Sequence, residues 1–116
     1  GGLALAKVTP KVKIVIEIEP PQVKKGEEVT VRYYLENQTA GPLHVSDALV
    51  LTVVGQGATT GGKIEPKTKL AEPRGKALLL ESRDAWLLDP GTDWKTTLKV
   101  VLADGTVITG SLQARR

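Results

Sequence analysis

The chain of 116 residues has no cysteine, methionine or phenylalanine, and only one asparagine and one histidine. Without cysteine, neither a disulfide framework nor a thiolate metal site can form. The scarcity of oxidation-prone and deamidation-prone side chains is typical of thermophile proteins, and we predict such an origin. Two tryptophans and two tyrosines are too few for an aromatic ladder that stacks nucleic-acid bases.

Long apolar runs and strong charge of one sign are also missing. No run approaches the roughly 20 residues of a membrane span, so we predict no membrane-spanning segment. The net charge is only +3, and acidic residues interleave with the basic ones, which predicts no nucleic-acid partner. A chain with 41% hydrophobic and 25% charged residues at an ordinary domain length is expected to fold as one domain.

What the chain does have is alternation of apolar and polar residues in short segments bounded by glycine and proline, the pattern of half-buried strands. The segments KVKIVIEIE, EVTVRYYLE and DWKTTLKVVL give the clearest inward-facing sets. These are Val12, Ile14, Ile16, Ile18, Val29, Val31, Tyr33, Leu35, Trp94, Thr96, Leu98, Val100 and Leu102.

Between the clear strands lie segments with weaker patterns. LHVSDALVLTVVG is expected to be one long strand or two strands broken near Ser46, QGATTGG a glycine-rich connection, and KIEPKTKL an edge strand interrupted by Pro66. Asp104 and Gly105 predict a hairpin turn. Seven to eight short strands without a helical period predict an all-β, single Ig-like antiparallel β-sandwich over residues 11–116.

The first ten residues predict an extended N-terminal arm in front of this sandwich. In LALAKV, Leu3 and Leu5 would share one face of an extended chain, and Ala4, Ala6 and Val8 the other. Because neither face suits water, we expect a second copy of the chain to cover the arm by accepting it as a donated strand. The alternative is that the segment folds back as an ordinary first strand of its own domain.

The turn motifs resemble those of a known family. PQVKKGEEVT at residues 21–30, Glu36 with Asn37, VSD at residues 45–47 and LDPG at residues 88–91 resemble the Ig-like conserved-repeat domains of bacterial and archaeal surface proteins. The resemblance extends over residues 11–102. It implies a cell-adhesion-related module that serves as a spacer, adhesive unit or assembly unit and is not an enzyme.

Chemically active residue types are few and scattered. His44, Ser46 and Asp47 invite comparison with a hydrolytic triad. On a strand, however, His44 and Ser46 would share a face and Asp47 would point to the other, so no catalytic residue is predicted.

Two kinds of ligand site remain open at the sequence level. Asp84, Asp89 and Asp93 surround the DPGTD turn and are weak candidates for calcium, although Asp89 and Asp93 would equally well cap the turn. Trp86 and Trp94 could form a sugar platform, but Trp94 is expected in the core. No cofactor is expected.

Asn37, Gln38 and Thr39 form an N-glycosylation acceptor pattern in a loop predicted to be exposed, which would suit an exported protein.

The sequence thus predicts a non-enzymatic structural subunit that partners with copies of itself in an extracellular filament or surface layer. A virion decoration protein, a carbohydrate-binding accessory module and an Ig-like protease inhibitor are the alternatives. For an inhibitor, QGATTGG or AEPRGK would supply the binding loop.

Overall fold

The computed structural model describes residues 11–85 and 91–115, which form strands and turns and contain no helix. All strand pairs are antiparallel, as predicted. The eight strands are β1 (Val12–Glu19), β2 (Glu28–Asn37), β3 (Leu43–Val54), β4 (Ala58–Lys63), β5 (Leu70–Ala71), β6 (Gly75–Ala85), β7 (Asp93–Leu102) and β8 (Val107–Arg115).

The strands form two sheets, so the predicted β-sandwich is confirmed. Sheet I has the order β1-β2-β6, and sheet II has the order β4-β3-β7-β8 with β5 added to the start of β3. At one end of sheet I, here called the lower end, Val12, Asn37 and Gly75 lie side by side on the three strands. Glu28 and Ala85 mark the opposite, upper end.

The core lies between the sheets and contains the residues that alternation predicted. In β2 and β7 every second side chain is buried, including Thr96 among the apolar residues. The apolar residues of β1 pack on this core and are half-buried, because β1 is an edge strand. The hairpin turn at Gly105 is confirmed by its φ of 90° and by the hydrogen bond from Leu102 N to Thr106 O at 2.8 Å.

Two irregularities in pairing redirect side chains. Between Tyr33 and Tyr34 of β2, strand β6 carries one extra residue, Leu79, whose side chain is fully buried. A β-bulge of this kind places two neighbouring side chains towards one partner residue. The second irregularity lies at Ser46, where β3 shifts its register against β7 without ending, so the single long strand is the correct alternative.

Two segments differ from the prediction. QGATTGG is not a connection, because residues 58–63 form β4 and pair with β3. Glycine serves close approach here: a Cβ on Gly61 would overlap the carbonyl oxygen of Val50 and come within 2.9 Å of Leu51 Cα. KIEPKTKL is not an edge strand, because pairing stops at Lys63 and resumes only at Leu70.

Candidate functional site

The sandwich has two long sides, and one of them is closed by direct contact between its edge strands. This closed side is formed by β1 of sheet I and β8 of sheet II. A Cβ on Gly110 of β8 would lie 2.5 Å from Ile14 Cβ and 3.2 Å from Ile14 O. The two edges therefore meet so tightly that only glycine fits at this position of β8.

A buried group of hydroxyls joins the sheets through the middle of the core. Tyr33 Oη of β2 lies 2.7 Å from Thr96 Oγ1 of β7, which lies 3.0 Å from Thr52 Oγ1 of β3. Burial raises the pKa of Tyr33 above its ordinary value, so this phenol stays protonated, although its bonds to the threonines oppose the shift. These contacts place β2 opposite β7.

The opposite long side, here called the open side, is bordered by β6 and β4. With β1 against β8 and β2 opposite β7, the strand orders place β6 opposite β3. Among residues 11–85 and 91–115, sheet I has no further strand opposite β4. In this described part of the chain, the sandwich is therefore one strand short on this side.

Residues 64–69, between β4 and β5 and here called the crossing segment, close the lower half of the open side. Ile64 N donates to Ala48 O of β3 at 3.0 Å, and Lys67 N donates to Leu79 O of β6 at 2.9 Å. Val45 N of β3 then donates to Lys69 O at 2.8 Å. The crossing segment contacts both sheets. The residues that were predicted to form an edge strand therefore connect β3 with β6 instead.

Asn37 holds the chain at the lower end of the crossing segment. The prediction that Asn37 lies in an exposed loop is wrong. It ends β2 with an exposed fraction of 0%. Its Nδ2 donates to Gly41 O at 2.9 Å and Ala71 O at 3.0 Å. Its Oδ1 accepts from Thr39 N at 2.9 Å and Thr39 Oγ1 at 2.6 Å.

This geometry does not fit a glycan on Asn37. Both amide hydrogens are already donated, and a sugar on Nδ2 would have to displace the contact with β5. The triplet Asn37 to Thr39 is an Asx turn, in which the side chain of the first residue binds the backbone two residues on. The pattern therefore has a structural role.

The upper half of the open side is a groove, here called the slot, between residues 80–85 of β6 and strand β4. The residues of β3 that face the interior here, Val50, Thr52 and Val54, are only half-buried. Their partners across the β3–β7 ladder, Leu98, Thr96 and Trp94, are all buried. The contrast arises because none of the described strands of sheet I lies opposite β4.

The walls of the slot are polar or small. Ser82 of β6 pairs with Val31 and so belongs to the interior face, yet it is exposed. Thr60 and Gly62 of β4 pair with Thr52 and Val50 and are exposed as well. A Cβ on Gly62 would meet no atom within 4 Å. Sequence analysis missed these residues, although polar residues at inward positions of β6 are a visible signal.

The residues of the supposed triad are not brought together. His44 and Ser46 are exposed on β3, as alternation predicted. The Asp47 carboxylate is engaged elsewhere: Oδ1 accepts from Ala48 N at 3.0 Å, and Oδ2 lies 3.7 Å from Lys63 Nζ. The arrangement provides no proton relay.

The calcium candidates are only partly described. Asp84 lies in β6 opposite Val29, and Asp93 begins β7 with an exposed side chain, whereas Asp89 lies outside the described residues. Within residues 11–85 and 91–115, no three metal-ligating side chains form a cluster. The calcium prediction therefore stays untested.

Other predicted sites have mixed outcomes. Trp94 is buried in the core and cannot serve as a sugar platform, and Trp86 lies outside the described residues. The first inhibitor loop is strand β4, and the second is the tight turn between β5 and β6, held by a 2.8 Å bond from Arg74 Nη1 to Gln38 O. No helix in the described part of the chain is long and apolar enough to cross a membrane.

The predicted donor residues Leu3, Ala4, Leu5, Ala6 and Val8 also lie outside the described residues. What the structure does define is where the arm joins the sandwich. Val12 pairs with Asn37, the last residue of β2, and Gln38 N donates to Lys11 O at 2.7 Å. The described part of the β1–β2 ladder therefore begins at the very end of β2.

These features define a β-sandwich domain with one incomplete side, and solved structures contain similar domains. Spo0M, a sporulation control protein from Bacillus subtilis, matches with a TM-score of 0.60 and 9% identity over 92% of this chain and 49% of its own. Astrotactin-2, a vertebrate-specific, perforin-like membrane protein, matches with a TM-score of 0.54 and 17% identity over 92% of this chain and 22% of its own.

The chain therefore spans about half of the first of these proteins and about a fifth of the second. At such low identity the likeness concerns the fold alone. No family model and no curated protein matches the chain.

Proposed function

We propose that this domain is a non-enzymatic structural subunit that assembles with copies of itself, through its N-terminal arm, into an extracellular filament or surface layer. The observation that carries the proposal is the pairing of Val12 with Asn37 at the very end of β2. Because β2 ends there, we expect the arm to leave sheet I at that point. An apolar strand that leaves its own sheet requires cover from elsewhere.

The chemistry of the described residues is consistent with a structural role. The buried polar side chains, Asn37 and Thr96, are used for internal hydrogen bonds that connect strands. The carboxylate beside the single histidine is engaged with a backbone amide and a lysine. A subunit that transmits force or forms a layer requires this kind of internally satisfied frame.

Removal of residues 1–9 tests the proposal. Intact protein should form polymers in negative-stain images and sediment as a distribution of large species, and the truncated protein should be a soluble monomer. A matched full-length variant, Leu5→Asp, should also stay monomeric because a buried carboxylate opposes burial of the arm. A synthetic LALAKV peptide should bind the truncated monomer.

Two results would contradict self-assembly through the arm. One is polymerisation of the truncated protein to the same extent as the intact protein. The other is an intact protein that remains monomeric at high concentration. A circular dichroism spectrum of each variant controls for folding of the sandwich.

A further inference from the structure

Resting on the proposed self-assembly, we infer that the slot between residues 80–85 and β4 is the acceptor site, and that its occupant is residues 3–8 of a neighbouring copy. The strand would lie beside β6 as a fourth strand of sheet I. It would then cover β4, for which sheet I provides no partner strand.

The backbone edge of β6 is available only in its upper half. Its last bond to the crossing segment, among the described residues, is Leu79 O with Lys67 N at 2.9 Å. Beyond this bulge, the described strands pair with β6 on one side only, through β2. Six residues, 80–85, therefore present an edge that matches the length of LALAKV.

The walls of the slot suit a strand with large and small residues on alternate positions. Gly62 and Thr60 leave space on the interior side of β4, and Leu80 together with Val50 supplies an apolar floor. Leu3 and Leu5, on one face of the arm, would fill this space. Ala4 and Ala6 would then lie on the outer face of sheet I.

Distances prevent the chain's own arm from filling the whole length of the slot. The slot position lies three strand spacings from β1, or about 14 Å. Its near end is level with Leu80, Tyr33 and Ile16, four residues or about 13 Å above Val12. The diagonal is therefore about 19 Å, whereas the four residues from Val12 back to Val8 span at most ~14 Å.

A strand that fills the slot with residues 3–8 must therefore come from another copy. Each copy would offer an arm at the lower end of β1 and a slot at the upper half of β6. These surfaces differ, so the contact is head-to-tail, and its repetition gives an open filament unless the rotation closes a ring.

The absence of native cysteine makes disulfide mapping a direct test. Full-length chains would carry Ser82→Cys with either Leu3→Cys or Leu5→Cys, so that both inward positions of the arm are sampled. Mild oxidation should give a ladder of covalent multimers. The matched control replaces Ser82→Cys by Ser111→Cys, on the outer face of β8, and should give at least tenfold less multimer.

The outcomes separate the acceptor site from the proposed function. A disulfide-closed monomer would overturn donation between copies. Multimers that form through Ser111→Cys and not through Ser82→Cys would overturn the slot while self-assembly through the arm stands. If the parent protein, without any cysteine, forms no polymer in electron micrographs, the proposed function itself fails.

Discussion

The closed side and the open side of the sandwich differ in how the two sheets meet. On the closed side, β8 gives up a side chain at Gly110 so that Ile14 of β1 can approach its backbone. On the open side, the sheets have unequal numbers of strands, and a crossing segment closes only the lower half. The described strands therefore close one side along its length, whereas the other side is closed only in its lower half.

The crossing segment and Asn37 determine where the open side begins. Without them, residues below Leu79 would form an edge like the slot above it. The comparison can therefore be tested by removing, in turn, the lower closure, the bulge and the closed seam. A final test concerns the outer face of sheet I.

Asn37→Asp should have the largest effect. The carboxylate oxygen that replaces Nδ2 would face the carbonyl oxygens of Gly41 and Ala71, which now accept at 2.9 and 3.0 Å. We expect the free energy of unfolding, measured by urea denaturation, to fall by about 3–5 kcal/mol, the cost of an uncompensated buried charge. The loss should shrink in acid, because a protonated carboxyl can donate one hydrogen bond.

Gln38→Glu is the matched control for that variant, since Gln38 is exposed and its backbone provides the contacts with Lys11 and Arg74. Its stability should be within about 0.5 kcal/mol of the parent. If Asn37→Asp proved equally harmless, Asn37 would not hold the crossing segment, and the description of the lower half as closed would be wrong.

Leu79→Ala and Leu80→Ala compare two neighbours at the bulge. Leu79 is fully buried, whereas Leu80 is half-buried at the floor of the slot. We expect Leu79→Ala to lower the unfolding free energy of the arm-truncated monomer by about 2–5 kcal/mol, and Leu80→Ala by less than about half as much. Equal losses would show that the slot is already filled in the monomer.

Gly110→Ala probes the closed seam. The added methyl group would collide with Ile14 Cβ and must push β1 and β8 apart, with a loss of about 1–3 kcal/mol in urea denaturation. Gly57→Ala is the control, because nothing lies within 4 Å of its added Cβ. A neutral Gly110→Ala would mean that the two edges separate easily and that the closed side is no firmer than the open one.

Local alternation predicted the fold well where both neighbours of a strand are present. In β7 the predicted bounds and every predicted buried residue agree with the structure, because β3 and β8 flank it and the core covers one face. The same rule gave correct inward positions for β2. Alternation therefore predicts a strand well when a neighbouring strand lies on each side and one face packs on the core.

The candidate site could not be predicted in this way, because it depends on pairing between distant segments. Asn37 is buried by carbonyls up to 34 positions away, which a local triplet cannot indicate. β4 has almost no apolar residue, so it shows no alternation of apolar and polar residues that could predict a strand. The glycine at position 61 is explained only by its close approach to Val50 of β3. Contacts between distant segments decide how many strands each sheet contains. The slot exists because the two sheets have unequal numbers of described strands.

The smallest expected effect concerns Glu81, whose side chain lies on the outer face of sheet I, beside Arg32. Arg32 Nε donates to Glu81 Oε2 at 3.0 Å, and Arg32 Nη1 donates to Glu19 Oε2 at 2.7 Å. The hydrogen bond from Arg32 holds the pKa of Glu81 below its ordinary value. The hydrogen bond between Arg32 and Glu81 therefore stabilises the fold fully above the ordinary glutamate pKa. Its contribution is lost as the pH falls through the lowered pKa that Glu81 has in the folded state.

Glu81→Gln should accordingly lower the melting temperature slightly at pH 7 and flatten its decline between about pH 5 and pH 3. Glu65→Gln is the control, since Glu65 pairs with Lys69 at 3.4 Å and both side chains are largely exposed. Thermal melts of both variants across that pH range would measure the difference. If the parent and Glu81→Gln declined in parallel, the ion pairs of sheet I would not contribute to acid sensitivity. We expect a small effect because solvent screens each ion pair and neighbouring charges already share the charge of Glu81.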